Sequence, residues 1–358
     1  MPRSWEPSAE RRRGEYAQVA VLVDTYFHRT GEHCASTALR NILSHHGTEL
    51  SEGMVFGLAS GLGFYYLQGE SLSPSRMFHG RTALLESDFG RNTGIPLSDR
   101  PEPDDERAWQ AVCERIDRGL PVMVSTDTFY LGYHRTTSHF PGHRCVVVGY
   151  DDASQTALIA DRKFEVYQRC SYDELRRARN APDYPISCEN RYGDFEGEPK
   201  LGVPVDEAIR IAIRRNARGM LEPDADLPAG IPALRALASD FADWANAEDW
   251  SWAARFGYQV IIKRGAGGSF FRSLYDSFLR ESAPLVPEIA PILMAGRMDA
   301  IATRWRDLAA VLKQQSENDA CDPDLFLQAG NIAGELADAE ERFFCDLLLR
   351  SEELDSSA

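Results

Sequence analysis

Residues 143–161 read HRCVVVGYDDASQTALIAD, and this stretch decides the fold of the first half of the chain. Its two apolar runs, HRCVVVGYD and TALIAD, are rich in β-branched residues, and the polar sequence between them is typical of a turn. The pattern predicts an antiparallel hairpin centred near residue 152. In that register His143 and Asp161 lie opposite each other across the two strands.

The segments around this hairpin predict one more strand and three helices. PVMVSTDTF (121–129) is typical of a buried strand. CASTALRNILSHH (34–46) has apolar residues at helical spacing and is followed by Gly47, which favours a helix end. Helices are also predicted at 105–118 and in SYDELRRARNA (171–181), where Ser–x–x–Glu is a capping-box pattern. This mixture predicts an α+β first half.

The second half of the chain has a different character. NRYGDFEGEPKLGVP (190–204) is rich in Gly, Pro and charge, as a linker is. The pattern after it is almost entirely helical. Helices are predicted at 205–219, 231–247, 250–258, 269–281, 285–315 and 323–350. The length of 358 residues suits two domains, which we place at 15–200 and 205–358.

Composition excludes several classes of protein. The net charge of −16 argues against sequence-independent nucleic-acid binding, which needs a positive face for the phosphates. No apolar run approaches the roughly 18 residues that span a bilayer, and the charged N-terminus lacks the apolar core of a secretory signal. The seven cysteines are irregularly spaced and include no CxxC pair, which argues against a disulfide framework or a structural zinc site. A cytoplasmic protein that does not enter the membrane is therefore expected.

Three residues suggest covalent catalysis. Cys34 stands where the first helix begins, and a helix N-terminus or a neighbouring imidazolium lowers the pKa of a thiol. His143 opens one strand of the hairpin, and Asp161 closes the other, where a carboxylate would orient the imidazole and stabilise its cation. The set predicts Cys34 as nucleophile, His143 as base and then acid, and Asp161 as the orienting carboxylate. The alternative is structural: a small packed thiol, a strand-end histidine and a strand cap.

The segment around Cys34 also resembles a known family. GEHCASTALRNILSHHGTELSEGMVFGLASGLGFYY (31–66) resembles the N-terminal domain of the butirosin biosynthesis protein H family. The resemblance continues through GHRCVVVGYDD (142–152), ALIADR (157–162) and SYDELRRAR (171–179), which are also similar to the His and Asp segments of bacteriocin-processing cysteine peptidases. IIKRGAGGSFFRSLYDSFLRE (261–281) resembles the helical domain of unknown function that often follows in this family.

The resemblance implies a fold and a reaction. The fold would be α+β, a papain-like N-terminal domain with an antiparallel sheet followed by an all-helical domain. The reaction would transfer an acyl group from a carrier-protein thioester to a small-molecule amine, or cyclise it, in secondary-metabolite biosynthesis. The donor could arrive on a phosphopantetheine arm, and no other cofactor is expected. A hydrolase with the same three residues and a non-catalytic binding protein remain alternatives, and the helical half could form a homodimer face.

The oxyanion site departs from the papain-like pattern. Papain-like peptidases place a Gln several residues before the nucleophile, whereas residues 28–33 read HRTGEH. The oxyanion would then rest on the backbone N–H of Cys34 and a second donor. His28 and His33 are the candidates for that donor.

Other segments could contact the substrate. An acyl pocket could be lined by Gly63, Phe64, Tyr65 and Tyr66, although ordinary core packing would explain the same residues. His139, in the segment YLGYHRTTSHFPGH that leads to His143, could also contact the substrate. The spacing of His134, His139 and His143 is irregular, so no metal site is expected.

Overall fold

The computed structural model of the protein describes residues 21–182, 187–195, 198–224, 226–294 and 296–352. The N-terminal stretch, on which the expected lack of a secretory signal depends, lies outside the described residues, as do two residues of the predicted linker. Within the described ranges, none of the helices combines the length and the apolar character that crossing a membrane requires.

The described part of the chain contains nine strands, seven of which form one antiparallel sheet. They are β1 (Val21–Leu22), β2 (Leu62–Gln68), β3 (Arg76–Arg81), β4 (Leu97–Arg100), β5 (Val122–Thr126), β6 (His143–Asp151), β7 (Thr156–Ala160), β8 (Gln168–Ser171) and β9 (Tyr192–Phe195). The order in the large sheet is β4–β9–β5–β6–β7–β8, and β1 also pairs with β6. Strands β2 and β3 form a separate two-stranded sheet.

Helices account for most of the remaining described structure. They are α1 (Cys34–His45), α2 (Glu52–Leu58), α3 (Leu85–Thr93), α4 (Asp105–Asp117), α5 (Tyr172–Arg179), α6 (Val205–Leu221), α7 (Gly230–Trp244), α8 (Trp250–Ile262), α9 (Arg272–Ser282), α10 (Ala290–Met294), α11 (Arg297–Glu317) and α12 (Pro323–Glu352). Short 3-10 helices occur at Thr128–Tyr130, Gly132–His134 and Pro287–Ile289. The single helix expected over 285–315 is instead divided, with Gly296 in the left-handed region (φ 62°) where α11 begins.

The chain divides into two compact units that are not consecutive in sequence. The sheet unit consists of residues 1–50 and 95–200, and the helical unit consists of residues 51–94 and 201–358. The α+β class with an antiparallel sheet and a helical C-terminal region is confirmed. The division expected from composition, 15–200 and 205–358, differs from these units in residues 51–94. The reason is apolar packing, because this segment buries its side chains among helices that follow it by more than a hundred residues.

The core of the sheet unit lies on its central strands. Every residue of β5 and β6 is buried. Helix α1 packs Ala38 and Ile42 against this layer, and helix α4 packs Val112 and Ile116. Since α1 contacts β6, the sheet holds the helix that begins at Cys34 next to the strand that begins at His143.

The hairpin forms as expected, but its register is different. Asp151 continues β6 and pairs with Thr156, so the turn is centred between residues 153 and 154 instead of near residue 152. A bulge around Val148 inserts one extra residue into β6. The observed pairs include Val146 with Ala160.

The expectation that His143 lies directly opposite Asp161 is therefore wrong. Continuing the observed register by one residue places Asp161 beside Cys145, so that His143 is a diagonal neighbour two residues further along. Diagonal neighbours on one face of a sheet remain within reach of long side chains. The predicted contact between the His143 and Asp161 side chains is therefore still possible in the observed register.

Candidate active site

Helix α1 presents Cys34 at its N-terminus. His33 is the N-cap residue, with an extended backbone (φ −114°, ψ 134°), and its Nδ1 atom accepts a hydrogen bond from the Ser36 N–H at 3.4 Å. This histidine takes the place that Ser, Thr, Asp or Asn usually occupies. Cys34 is therefore in the first turn, where backbone N–H groups lack partners within the helix and the dipole favours negative charge.

Strand β6 presents His143 at its first residue, where it pairs with Thr126 of β5. The imidazole is buried, and its Nε2 atom lies 2.8 Å from Oδ2 of Asp161. The ring and the Cys34 thiol lie close enough for each to shift the pKa of the other. Because Nε2 faces the carboxylate, Nδ1 is the ring nitrogen left for the sulfur. The thiol, imidazole and carboxyl groups thus follow one another in that order.

Asp161 is fully buried and receives several donors on one oxygen. Its Oδ2 atom lies 2.8 Å from His143 Nε2, 2.9 Å from His134 Nε2 and 3.1 Å from the hydroxyl of Tyr133. Its Oδ1 atom has no hydrogen-bond partner among the described residues. Burial alone would raise the pKa of Asp161, but the charge of His143 and hydrogen bonds from both histidines hold it well below its usual range.

The pKa values of Cys34 and His143 move in opposite directions. Burial would raise the pKa of Cys34, but the charge of His33 and hydrogen bonds with His143 and His33 bring it well below its ordinary value. Burial would lower the pKa of His143, but the Asp161 carboxylate and the hydrogen bond with Cys34 raise it to about 10. The two shifts favour a thiolate at Cys34 and an imidazolium at His143.

His33 lies next to the nucleophile, as its place in the sequence requires. It is buried, caps α1 and lowers the pKa of the neighbouring Cys34 thiol. A donor in this position could stabilise either the thiolate or an oxyanion that develops beside the sulfur. Its role as the second oxyanion donor stays a prediction.

The structure does not support His28 as an oxyanion donor. Its Nε2 atom donates to the backbone oxygens of Asp161 at 3.1 Å and Phe164 at 2.8 Å. Its Nδ1 atom lies 3.3 Å from the side-chain nitrogen of Asn41, which donates to it. Both ring nitrogens are therefore in use, and burial lowers the pKa of the ring so that it stays neutral. His28 ties the backbone of Asp161 to helix α1.

His134 is a site residue that sequence reasoning missed. It ends the 3-10 helix Gly132–His134, and its imidazole meets that of His143 edge to face, with ring centroids 5.1 Å apart. Neither periodicity nor a spacing motif marks this histidine, because it is carried by an irregular loop. The one available signal was a histidine nine residues before His143 in a segment already suspected of contacting substrate.

The same loop contains His139 and is closed by a buried carboxylate. Asp127 accepts hydrogen bonds from the backbone N–H groups of Phe129 and Phe140, each at 2.9 Å, and lies 2.7 Å from Nδ1 of His139. The His139 ring stacks on Phe129 at 4.0 Å and remains 41% exposed. His139 therefore helps to hold the loop, and its contact with a substrate stays a prediction.

The four candidate pocket residues belong to the helical unit. Phe64 is 1% exposed and packs against Phe78, Phe270 and Trp305. Tyr66 is also buried, donates a hydrogen bond to Asp240 and accepts one from Trp244 at 3.1 Å.

Core packing thus accounts for Phe64 and Tyr66, and the structure does not support them as pocket residues. Gly63 and Tyr65 are half-buried, and their role stays a prediction. The close backbone of β3 explains Gly63, since a Cβ atom there would lie 3.0 Å from the carbonyl carbon of Arg81.

Three of the site residues could in principle hold a metal ion. The ligand atoms of His134, His143 and Asp161 lie within 4.8 Å of one another. Two imidazoles and a carboxylate would suit a divalent ion such as Zn²⁺. The same nitrogen and oxygen atoms already form hydrogen bonds, however, and these bonds account for the arrangement by themselves. The expectation of a metal-free site stays a prediction.

Comparison with known protein families supports the resemblance seen in the sequence. Residues 33–162 match the family described as butirosin biosynthesis protein H, N-terminal, a range that includes Cys34, His143 and Asp161. Residues 173–347 match a domain of unknown function (DUF4872). No curated protein matches the chain. The order of the two matches agrees with the resemblance expected from the sequence, in which a region similar to the butirosin biosynthesis protein H N-terminal domain is followed by a region similar to this domain of unknown function.

Proposed function

We propose that the protein is a cysteine-dependent acyltransferase of the papain-like type, acting in natural-product biosynthesis through an acyl-Cys34 intermediate. The observation that carries this proposal is that the Cys34 thiol and the His143 ring shift the pKa of each other, while His143 Nε2 lies 2.8 Å from the buried Asp161 carboxylate. A thiol at a helix N-terminus, an imidazole at the start of a strand and a carboxylate behind it are what nucleophilic catalysis by cysteine needs. The family match supports the biosynthetic context.

The first half-reaction loads the enzyme. The Cys34 thiolate attacks the carbonyl carbon of a thioester, so that a new C–S bond forms and a tetrahedral oxyanion develops. The oxyanion collapses and the C–S bond to the donor breaks. The departing thiolate takes the proton from the His143 imidazolium, which leaves acyl-Cys34 and a neutral imidazole. The backbone N–H of Cys34, in the unpartnered first turn of α1, and the His33 imidazole are the proposed oxyanion donors.

The second half-reaction transfers the acyl group. An amine attacks the acyl-Cys34 carbonyl carbon, and the neutral His143 ring takes its proton. The C–N bond forms, the C–S bond breaks, and Cys34 returns as a thiolate beside the imidazolium. Asp161 keeps the ring oriented and stabilises its cation in both steps.

A thioester suits this site as the donor. Exchange between two thiols is nearly isoenergetic, so loading requires little help for the leaving group, and amide formation then makes transfer strongly favourable. The donor is proposed to be an acyl carrier protein that presents its acyl group on a phosphopantetheine arm. Water as acceptor would make the protein a hydrolase, and an internal amine would give a cyclised product. The lowered pKa of the Cys34 thiol beside His143 favours catalysis over a purely binding role.

Mass spectrometry tests the proposal directly. The full chain is incubated with an acyl N-acetylcysteamine thioester, and its intact mass is measured before and after adding a mixture of primary amines. We expect an acyl adduct on Cys34 that the amines discharge as amides. Cys34→Ala should form no adduct, whereas Cys345→Ser should form it normally. Cys345 is the matched control because it is an exposed cysteine, and its pKa is raised by partial desolvation and by nearby Glu341 and Asp346.

The same experiment separates the alternatives. Discharge of the adduct by water as fast as by amines would make the protein a hydrolase. Amide formation by Cys34→Ala would overturn the covalent mechanism. Absence of an adduct on the parent protein, with the carrier-bound acyl group also unreactive, would overturn acyl transfer as a whole.

A further inference from the structure

We propose that His134 is a positioning residue, which holds the Asp161 carboxylate in the orientation that keeps its Oδ2 atom on the His143 ring. The inference rests on the proposed role of Cys34 as nucleophile, but it can be tested without any acyl transfer. It adds a fourth residue to the three that the sequence predicts. It also explains why a second histidine occurs at a fully buried carboxylate.

The geometry at Asp161 carries this inference. The two histidines use the same ring atom, Nε2, and approach the same carboxylate oxygen, at 2.8 Å for His143 and 2.9 Å for His134. Their ring planes are nearly perpendicular, at 87°, so the two N–H groups converge on Oδ2 from different directions. The Oδ1 atom has no partner among the described residues that would otherwise fix the carboxyl group. A single donor would let the carboxylate rotate, whereas converging donors define its orientation.

The charges require His134 to be a neutral donor. The Asp161 carboxylate is already balanced by the His143 cation, and a second cation beside that ring would repel it. The groups that face His134 are Asp161, His143, Lys163 and the phenol of Tyr133. Burial lowers the pKa of His134, and the nearby cations act in the same direction, although Asp161 opposes them. A neutral imidazole that donates from Nε2 stabilises the negative charge of Asp161 without competing for the role of cation.

The loop that carries His134 is built by contacts away from the reacting groups. Asp127 accepts hydrogen bonds from both ends of the loop, as described above. Gly132 lies so close to helix α5 that a Cβ atom there would be 2.6 Å from a carboxylate oxygen of Glu174. The residue after His134, Arg135, has a left-handed backbone (φ 51°) that ends the 3-10 helix. These contacts therefore fix the position of the His134 backbone independently of the contact between its side chain and Asp161.

Two other roles are compatible with a buried histidine in a loop. His134 could merely pack the loop, in which case its replacement would change stability but not the ionisation of Cys34. It could also serve as a ligand of a metal ion together with His143 and Asp161. A positioning role differs from both. It predicts that the pH dependence of Cys34 ionisation changes when the N–H donor at the Nε2 position is lost and is retained when another side chain supplies that donor.

The test measures the rate constant for alkylation of Cys34 by iodoacetamide as a function of pH. Modification of the peptide that contains Cys34 is followed by mass spectrometry, because the chain has other thiols. The parent protein is compared with His134→Gln, His134→Asn and Tyr133→Phe. A glutamine amide can place its N–H near the position of Nε2, and an asparagine amide, which is one methylene shorter, cannot. His46→Gln, at the C-cap of α1, is the matched control for a His-to-Gln change.

We expect His134→Asn to raise the apparent pKa of Cys34 by about one unit, so that alkylation at pH values below that pKa falls by about tenfold. His134→Gln should stay within about threefold of the parent protein, because it retains a charge-assisted donor. His134→Asn and Tyr133→Phe each remove a donor to Oδ2 of Asp161. Tyr133→Phe should have the smaller effect, since the Tyr133 hydroxyl is the most distant of the donors, at 3.1 Å. His46→Gln should behave as the parent.

Several outcomes would overturn the inference. One is a His134→Asn protein that is folded by thermal melting yet alkylates like the parent at every pH. Another is equal loss in His134→Gln and His134→Asn, which would assign the effect to packing of the ring. A third is loss of alkylation in the parent after dialysis against a chelator, with recovery on adding Zn²⁺, which would make His134 a metal ligand. Failure of the parent to form an acyl adduct would refute the proposed reaction but leave this experiment interpretable.

Discussion

Asp161 in the sheet unit and Glu340 in the helical unit are both fully buried carboxylates, but they have different partners. Glu340 forms a bidentate ion pair with Arg272, with both N···O distances at 2.8 Å, and accepts a further hydrogen bond from Trp305 at 2.7 Å. Asp161 is surrounded by two histidines and a tyrosine, all on one oxygen. Both carboxylate oxygens of Glu340 thus accept hydrogen bonds. In Asp161, all three donors meet the same oxygen, Oδ2.

The partner decides what a buried carboxylate can do. An arginine guanidinium stays protonated at any pH at which the protein is folded, so the Glu340 pair is a fixed structural element. An imidazole can gain and lose a proton near neutrality, so the Asp161 pair can support proton transfer. Both pairs stabilise a negative charge away from water, but only the histidine pair connects that charge to a group that reacts. The following predictions probe this difference.

The largest effect is expected from Asp161→Asn. The amide keeps the shape of the side chain but loses the charge that holds a proton on His143, so the thiolate–imidazolium pair is lost at neutral pH. We expect the rate of Cys34 acylation by a thioester to fall by about 10³–10⁴-fold, as it does when the orienting carboxylate of a catalytic triad is neutralised. Intact-mass kinetics on the folded variant measures this, and a loss below about tenfold would contradict the assignment.

Glu340→Gln should act on stability instead of chemistry. It leaves the Arg272 guanidinium buried without its counter-ion, and breaking a buried pair costs about 3–5 kcal/mol. We expect the free energy of unfolding of the variant, measured with urea, to fall by about that amount. Alkylation of Cys34 below the unfolding transition should match that of the parent protein. Reduced alkylation of Cys34 in the folded variant would show that Glu340 also influences the reactivity of the thiol, contrary to a purely structural role.

The pH dependence of stability should reveal the thiolate–imidazolium pair. The pKa of His143 is raised from 6.5 to about 10, so its contribution to stability is present in full below 6.5 and is lost as the pH rises through about 10. The pKa of Cys34 is lowered from 9.0, so its contribution is present above 9.0 and is lost as the pH falls. Between 6.5 and 9.0 the two dependences cancel, because the pair carries one proton in both the folded and the unfolded state.

Replacing Cys34 with Ser removes that cancellation. Only the His143 proton then differs between folded and unfolded chains, so the free energy of unfolding should fall by up to about 1.4 kcal/mol per pH unit above the ordinary pKa of histidine. Urea unfolding at a series of pH values measures the slope. The matched comparison is Glu340→Gln, which leaves Cys34 and His143 in place and should therefore keep the slope of the parent protein in this pH range. If the free energies of unfolding of the parent and of Cys34→Ser changed in parallel with pH, the thiolate–imidazolium pair would be contradicted.

The smallest effect is expected from removing metal ions. Hydrogen bonds account for the positions of His134, His143 and Asp161, so dialysis against a chelator should leave Cys34 alkylation within about twofold and the melting temperature unchanged. Addition of Zn²⁺ after dialysis serves as the control for occupancy of the same atoms. A drop in melting temperature on chelation would mean that the expectation of a metal-free site is wrong.

Much of the site follows from local patterns. The helix that begins at Cys34, the strand that begins at His143 and the capping box at Ser171 and Glu174 occur where the sequence predicts them. Such features depend on residues within a few positions of each other, through periodicity, capping and turn preference. The sequence also predicts the contact between His143 and Asp161, although the register used for that prediction is two residues in error.

The remaining features depend on residues that are distant in the sequence. Residues 51–94 belong to the helical unit because their side chains pack against helices that come much later in the chain. His134 reaches Asp161 because an irregular loop is closed by Asp127 and packed against α5. His28 is unavailable to an oxyanion because its ring bonds backbone groups more than 130 residues away.

The sequence by itself determined which residue types could react and which helix or strand presents each of them, because those properties arise from a residue and its near neighbours. Only the tertiary structure decided that two histidines converge on a single oxygen of Asp161 while Glu340 is paired with arginine. The physical reason is that the partner of a buried charge is chosen by packing between distant segments. No local pattern encodes that choice.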